Sequence, residues 1–201
     1  MRRALTVRCI CPVFDVSSPK FLCSYSRLLS TIPPSMSPRL VQVNISPGGV
    51  PKHPVSEGRV TFTRIKGDDW SDKKRHGLPG QAICLYSVEL IDQLQGEGFP
   101  VFPGALGENF TTEGIDYHFT RIGDAWRVGK EVVIRITKVR GPCRTITVYG
   151  EGILRAMYDI EVKRGNVLSQ KWGRSGYYAE VLQEGVVRPG DLITFFPEAH
   201  Q

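Results

Sequence analysis

The sequence predicts a mainly β protein: a barrel closed or nearly closed on itself, with a few short helices. From Leu40 onward, short runs of β-branched and aromatic residues alternate with clusters of Gly, Pro, Asp and Asn, which is the pattern of strands separated by turns. In EVVIRITKV, the residues Val132, Ile134 and Ile136 share one face while Arg135 and Thr137 share the other, the period of two that marks a half-buried strand. Helical spacing is confined to two short stretches.

Taken in order, RLVQVNI, RVTFTRI, QAICLY, EVVIRITKV, TITVYG, YYAEVLQ and DLITFF read as strands. Several such strands with turn signals between them fit a small barrel. SVELIDQLQGEG reads as a helix with Ser87 as its N-cap and Gly96 as its stop. EGILRAMYDIEVKRGN reads as a second, because Ile153, Ala156, Met157 and Ile160 recur at helical intervals. IGDAWRVGKEVVIRI and VRPGDLITFF each place Gly-Asp before a strand, which is turn chemistry. No repeat of solenoid length is present.

A chain of 201 residues that is 41% hydrophobic is large enough for one core. We assign residues 39–201 to the barrel and 1–38 to a basic extension. The formal charge of +6 is unevenly spread. Residues 1–38 hold five Lys/Arg against the single acid Asp15, leaving 21 basic and 19 acidic residues in the body. So balanced a body lacks the basic stripe that nucleic acid requires, and none is expected as a partner. The extension is Arg-rich, Ser-rich and acid-poor, the composition of a mitochondrial presequence. Pro12, Pro19, Pro33 and Pro34 interrupt any long amphipathic helix there, so an unaddressed disordered tail in a cytoplasmic protein is the alternative. A second start at Met36 would yield both forms. No apolar run is long enough to span a bilayer. The sequence ends four residues after Pro197, and no further domain is expected beyond the barrel.

Cys9, Cys11 and Cys23 fall in the extension, leaving Cys84 and Cys143 in the body. Two cysteines without paired spacing make neither a disulfide framework nor a zinc site. Cys84 lies in an apolar run and reads as core. Cys143 follows Gly141-Pro142 and is flanked in sequence by Lys138, Arg140 and Arg144. Proline ends the preceding strand, and cations favour the thiolate that attacks electrophiles or binds soft metals. A small buried hydrophobe is the competing reading of the same residue.

Three further segments draw notice. SPGGVPKHPV brings two glycines and Lys52 into one loop, which would let a phosphate approach, although an ordinary turn also accounts for it. KGDDWSDKKRHGLPG gathers Lys73, Lys74, Arg75 and His76 at a strand entry, where a loop can close over an anion. GALGENFTTEGID surrounds Glu108 and Asn109 with glycines, suited to recognising a polar ring or, in the alternative, a connecting loop whose Asn109 satisfies its own backbone. No His/Glu pair has helical metal-ligand spacing and no serine sits in a nucleophile elbow, which demotes hydrolase readings.

These segments, in this order, resemble the MOSC family, the domain named for the C-terminal part of molybdenum cofactor sulfurase, and within it the short branch that includes bacterial 6-hydroxylaminopurine reductase. The family pattern looks like SxGGVPKxPV, GDxQxDxxxHGGPDxAVCLY, PGALGENLTxxGLD, an arginine and proline before a cysteine, and GxxGxYxxVLxxGxVxxGD. This chain carries SPGGVPKHPV, GDDWSDKKRHGLPGQAICLY, PGALGENFTTEGID, RGPC and GRSGYYAEVLQEGVVRPGD. The resemblance implies a β-barrel that holds a molybdenum cofactor, with Cys143 as the protein ligand to the metal. Lys52, His76 and Asn109 become candidates for contacting the cofactor, with Lys74, Arg75 and Arg140 added on charge as phosphate partners. Leu78 and Gly80 stand where the family has Gly and Asp, which puts substrate specificity in doubt. The bacterial relative carries a small helical domain after its barrel that is not expected here.

The expected function is reduction of N-hydroxylated small molecules at a molybdenum centre. Electrons would come from a partner protein with a flavin or haem, since no flavin or nicotinamide fingerprint is present. A persulfide sulfur carrier on Cys143, or a molybdenum-cofactor carrier without turnover, are the alternatives. No lysine motif for pyridoxal phosphate is found.

Overall fold

The computed structural model describes residues 37–70 and 78–196. Among the described residues are ten strands and three α-helices: β1 (Arg39–Ile45), β2 (His53–Val55), β3 (Gly58–Val60), β4 (Ile83–Ser87), α1 (Val88–Gly96), β5 (Phe110–Glu113), β6 (Ala125–Val128), β7 (Val132–Val139), α2 (Ile153–Met157), α3 (Ile160–Lys163), β8 (Tyr177–Gln183), β9 (Gly185–Val187) and β10 (Ile193–Phe195). A 3-10 helix, Arg144–Tyr149, lies between β7 and α2.

Eight strands form one curled sheet in the order β10-β6-β7-β8-β4-β5-β1-β2, and β3 and β9 form a separate two-stranded ribbon. Neighbours are antiparallel except β4 and β5, which run parallel. That exception follows from the helix between them, since two parallel strands need a crossover. Ser87 makes the junction: it ends β4, and its hydroxyl accepts from the Leu90 N–H at 3.3 Å to cap α1.

The expected barrel is mainly β as predicted, but the sheet is not closed. Its two sides touch along a short seam, where Arg39 bridges Leu192, Ile193 N–H donates to Pro38 O at 2.8 Å and Leu40 N–H donates to Asp191 O at 2.8 Å. The inward residues of the sheet, among them Leu40, Ile83, Leu85, Phe110, Ile134 and Ile136, make one apolar cluster. A second cluster lies where Ile91 and Leu94 of α1 meet Leu106, Ile146, Ile153 and Met157. Burying a side chain of this size contributes about 1.5–3 kcal/mol, so these two clusters supply the driving force for the fold.

Three sequence expectations need correction. TITVYG forms the 3-10 helix and not a strand: Ile146 is its buried residue, pinned into the second cluster, while Thr145, Thr147 and Val148 are exposed. RVTFTRI reaches only Val60 as strand, because Thr61 and Arg64 close a turn through Thr61 N–H to Arg64 O at 2.8 Å, leaving Phe62 exposed. The second predicted helix is two: Tyr158 is extended, and Asp159 starts α3 by accepting from the Val162 N–H at 3.0 Å. The expectations for residues 1–36 and for Lys73, Lys74, Arg75 and His76 lie outside the described residues.

Candidate functional site

Where β7 ends, the sheet opens into a cleft with about 680 Å³ of free space counting its mouth. One side is built from the Arg140–Thr145 turn, the other from the loops around Lys52, Trp70 and Asn109, and Cys84 and Tyr178 line it from β4 and β8. Cys84 and Tyr178 are direct partners across the sheet, which is why both reach the cleft.

Cys143 stands where the sequence places it, past the strand end, half-buried, with extended backbone at the cap position of the 3-10 helix. Its Sγ shares a hydrogen bond with the Thr145 hydroxyl. Of the three cations that flank it in sequence, Arg140 alone lines the cleft; Lys138 and Arg144 are exposed on the outside. Arg140 is 5% exposed, donates through Nη2 to Leu106 O, and has no hydrogen-bond partner on Nη1. Burial works against the charge of Arg140, but a guanidinium stays protonated throughout the ordinary pH range, and its acidic neighbours favour the charged form. A buried cation with an unmet donor costs free energy until an anion or acceptor arrives.

The opposite wall has little left unmet. Asp68, 3% exposed, is its centre. Its Oδ1 accepts from Ser46 N–H at 2.9 Å, and its Oδ2 accepts from Lys52 Nζ and from Asn109 Nδ2 at 2.8 Å. Asn109 also accepts from Cys84 N–H at 3.1 Å and donates to Asn44 O at 3.2 Å. Lys52 and Asn109 therefore line the cleft as parts of a buried brace, with their polar atoms bonded to protein. Glu108 is further from the expected ring-recognising role: fully buried, it accepts from Gly104 N–H at 2.5 Å and Thr111 Oγ1 at 3.0 Å, with Oε2 unpartnered. Burial pushes its carboxyl above the usual range, and these hydrogen bonds and Arg140 oppose the rise.

Gly104 shows why the GALGEN segment needs its glycines. Its φ is +92°, and a Cβ there would lie 2.3 Å from Lys52 O, where the two loops cross and Lys52 N–H donates to Gly104 O at 2.9 Å.

Cys84, read from sequence as core, is indeed 6% exposed, yet it also faces the cleft. Burial raises its thiol pKa, with Arg140 and Lys52 opposing. Burial likewise pushes the Tyr178 hydroxyl up to about 12. Sequence reading missed Asp68 and Tyr178. Asp68 had a weak signal, an acid directly after a glycine in the KGDDWSDKKRHG run, while the only clue to Tyr178 is its register opposite Cys84. Leu78 is exposed and Gly80 takes φ +76°, with its carbonyl accepting from Thr137 Oγ1. Among the described residues, no cluster of three or more His, Cys, Asp or Glu could hold a metal, and no helix is long and apolar enough to cross a membrane.

The half-exposed Cys143 and the buried Arg140 thus line one cleft at the end of a small curled β-sheet. The MOSC domain model matches residues 72–194, and the chain belongs to the MOSC family. It is 29% identical over 146 residues to the uncharacterized protein YflK of Bacillus subtilis, covering 71% of this chain and 60% of the relative. It is 30% identical over 139 residues to the protein YiiM of Escherichia coli, covering 65% and 56%. A protein named reductase from Gibberella moniliformis is 26% identical over 136 residues, covering 66% of this chain and 22% of the relative. The match to YflK and YiiM thus takes in well under two thirds of their lengths. The crystal structure of YiiM from Geobacillus stearothermophilus shares the fold with a TM-score of 0.57 at 24% identity, covering 81% of this chain and 77% of that one. YiiM from Escherichia coli does so at 0.57 and 21%, covering 82% and 72%.

Proposed function

We propose that the cleft holds a molybdenum–pterin cofactor with Cys143 as its protein ligand, and that the loaded protein reduces N-hydroxylated compounds. The observation that carries this reading is the pairing of a half-exposed thiol with Arg140, a buried cation whose Nη1 lacks a partner, across one cleft. A thiolate suits a soft, redox-active metal, and an underused guanidinium suits the phosphate of the cofactor. The residues present therefore fit the group.

When bound, the cofactor supplies two-electron redox chemistry, which the side chains of the chain lack. The reaction balances as R–NHOH plus two electrons and two protons giving R–NH2 and water, with the electrons delivered by a flavin or haem protein. Cys143 anchors the cofactor, Arg140 neutralises its phosphate, and Lys52 and Asn109, fixed by Asp68, hold the facing wall in place. His76 remains a candidate for contacting the cofactor from the sequence resemblance, and Lys74 and Arg75 remain candidates on charge for its phosphate. The support from relatives is family membership and one relative named reductase. We also assign residues 1–38 a mitochondrial targeting role, which fusion of that segment to a fluorescent protein tests; purely cytosolic fluorescence refutes it.

Metal analysis of the purified full chain decides the main reading. About one molybdenum per chain, lost in Cys143→Ala, together with turnover of a hydroxylamine by reduced viologen, is expected. Metal-free protein bearing a removable sulfane sulfur on Cys143 would instead establish a sulfur carrier, and cofactor binding without turnover a cofactor carrier.

A further inference from the structure

Glu108 is carried into the interior by the GALGEN turn, and its carboxyl fastens that turn: Oε1 accepts from Gly104 N–H at 2.5 Å and from Thr111 Oγ1 at 3.0 Å. Oε2 has no hydrogen-bond partner among the described residues, although Glu108 is fully buried. The same is true of Nη1 of the buried Arg140. The two side chains belong to one neighbourhood. Arg140 Nη2 donates to Leu106 O, two residues before Glu108 on the same turn, and each charge acts on the other. The wall of the cleft therefore holds a cation and an acid that interact through space while Nη1 and Oε2 stay unbonded. Arg140 lines the cleft together with Gly107 and Asn109, the residues on either side of Glu108, whereas Glu108 is enclosed.

Buried charges this close do not titrate independently. An ionised Glu108 and Arg140 compensate one another where water solvates neither well. An anion arriving at Arg140 from the cleft takes over that compensation. Glu108 then becomes a second negative charge beside the same cation, and a carboxyl can relieve that repulsion by taking a proton. Among the described residues, the other titratable groups that interact with Glu108 are Cys84 and Tyr86 of β4 and Tyr149 of the 3-10 helix. Burial raises the pKa of all three, so each keeps its proton at neutral and mildly acid pH. Glu108 is the member of this group left to change charge in that range.

We propose that Glu108 is a proton-coupled counter-charge for Arg140, so that a dianion binding in the cleft brings a proton onto Glu108 and binds more tightly as pH falls. This rests on the reading of Arg140 as an anion-binding group, and on neither molybdenum nor any reaction. The coupling operates between the pH at which Glu108 ionises in the ligand-free protein and the higher pH at which it ionises in the complex. Within that window affinity falls as pH rises, and outside it Glu108 contributes no pH dependence.

Sulfate is the probe, because it is a dianion that carries no proton of its own at these pH values. The full-length, cofactor-free wild type and Glu108→Gln are titrated calorimetrically with sulfate from about pH 5 to about pH 9, in two buffers of different ionisation enthalpy. At its maximum, uptake by the wild type is expected to exceed that of Glu108→Gln by up to about one proton per sulfate. Wild-type affinity is expected to fall about tenfold across the window while that of the variant stays level, an effect of about one pKa unit. Infrared difference spectra of the wild type, which need no variant, are expected to show a carboxylate band lost and a protonated carboxyl band gained when sulfate is added inside the window. Equal proton counts in the two proteins, or no carboxyl change in the infrared, overturn this proposal alone. No sulfate binding at any pH, or binding unchanged in Arg140→Gln, overturns the anion role of Arg140 together with it.

Discussion

The two walls of the cleft are built on opposite principles. Around Asp68, loops from three parts of the chain are locked by a buried ion pair and hydrogen bonds to Ser46, Lys52 and Asn109. Around Cys143, a buried guanidinium keeps an unmet donor and a thiol stays half-exposed. On the first wall the polar groups are bonded to protein, and on the second Arg140 keeps one donor, Nη1, without a partner. A site of this kind needs both, because a reactive group is useful only when the surface facing it does not yield.

Substitutions should therefore cost stability on the first wall and ligand binding on the second. The largest effect is expected from Asp68→Ala, which strands the Lys52 ammonium in the interior and should lower the unfolding free energy by about 3–5 kcal/mol in urea titrations. A loss under about 1 kcal/mol would mean the brace is not a brace. Gly104→Ala should cost about 2–4 kcal/mol by the same measurement, combining a backbone conformation that alanine resists with a collision against Lys52 O.

Glu108→Gln probes the raised carboxyl. Because burial lifts the folded-state pKa of Glu108 above its ordinary 4.5, the native state holds this proton more tightly than the unfolded chain does. Its contribution is therefore fully present below 4.5 and is lost as pH rises towards the folded value. Stability measured from pH 4 upward should decline less in Glu108→Gln than in the wild type; parallel curves would show that the group does not titrate differently on folding. Smallest of all, Cys143→Ala should change stability by no more than about 0.5 kcal/mol while abolishing molybdenum retention. A large loss of stability there would erase the contrast between the walls.

Much of this was legible in the chain. β1, β4, β7 and β8 follow from runs such as RLVQVNI and YYAEVLQ, and Ser87 is a cap that its sequence position announces. TITVYG was misleading because β-branched content is shared by strands and by a short 3-10 helix, and what decides is which single residue finds a core; here it is Ile146. The interruption at Tyr158 and Asp159 had a local signal, an aspartate two residues past the last apolar helical position, outweighed by continued periodicity. Cys143 was readable from its neighbours in sequence, whereas the sorting of Lys138, Arg140 and Arg144 into outside and inside depends on strand twist and on a turn. Asp68 escaped because its meaning lies in three hydrogen-bond partners drawn from distant loops, and no local window contains them.

The seam between the starts of β1 and β10 carries a kinetic consequence. It joins positions 39 and 192, so closing it constrains almost the whole body for a few backbone bonds. Pairing of that span is slow, since a long stretch of chain has to surrender its freedom before any contact repays it. The curl of the sheet is thus expected to be completed late on the way to the native state, when the regions around residues 39 and 192 meet.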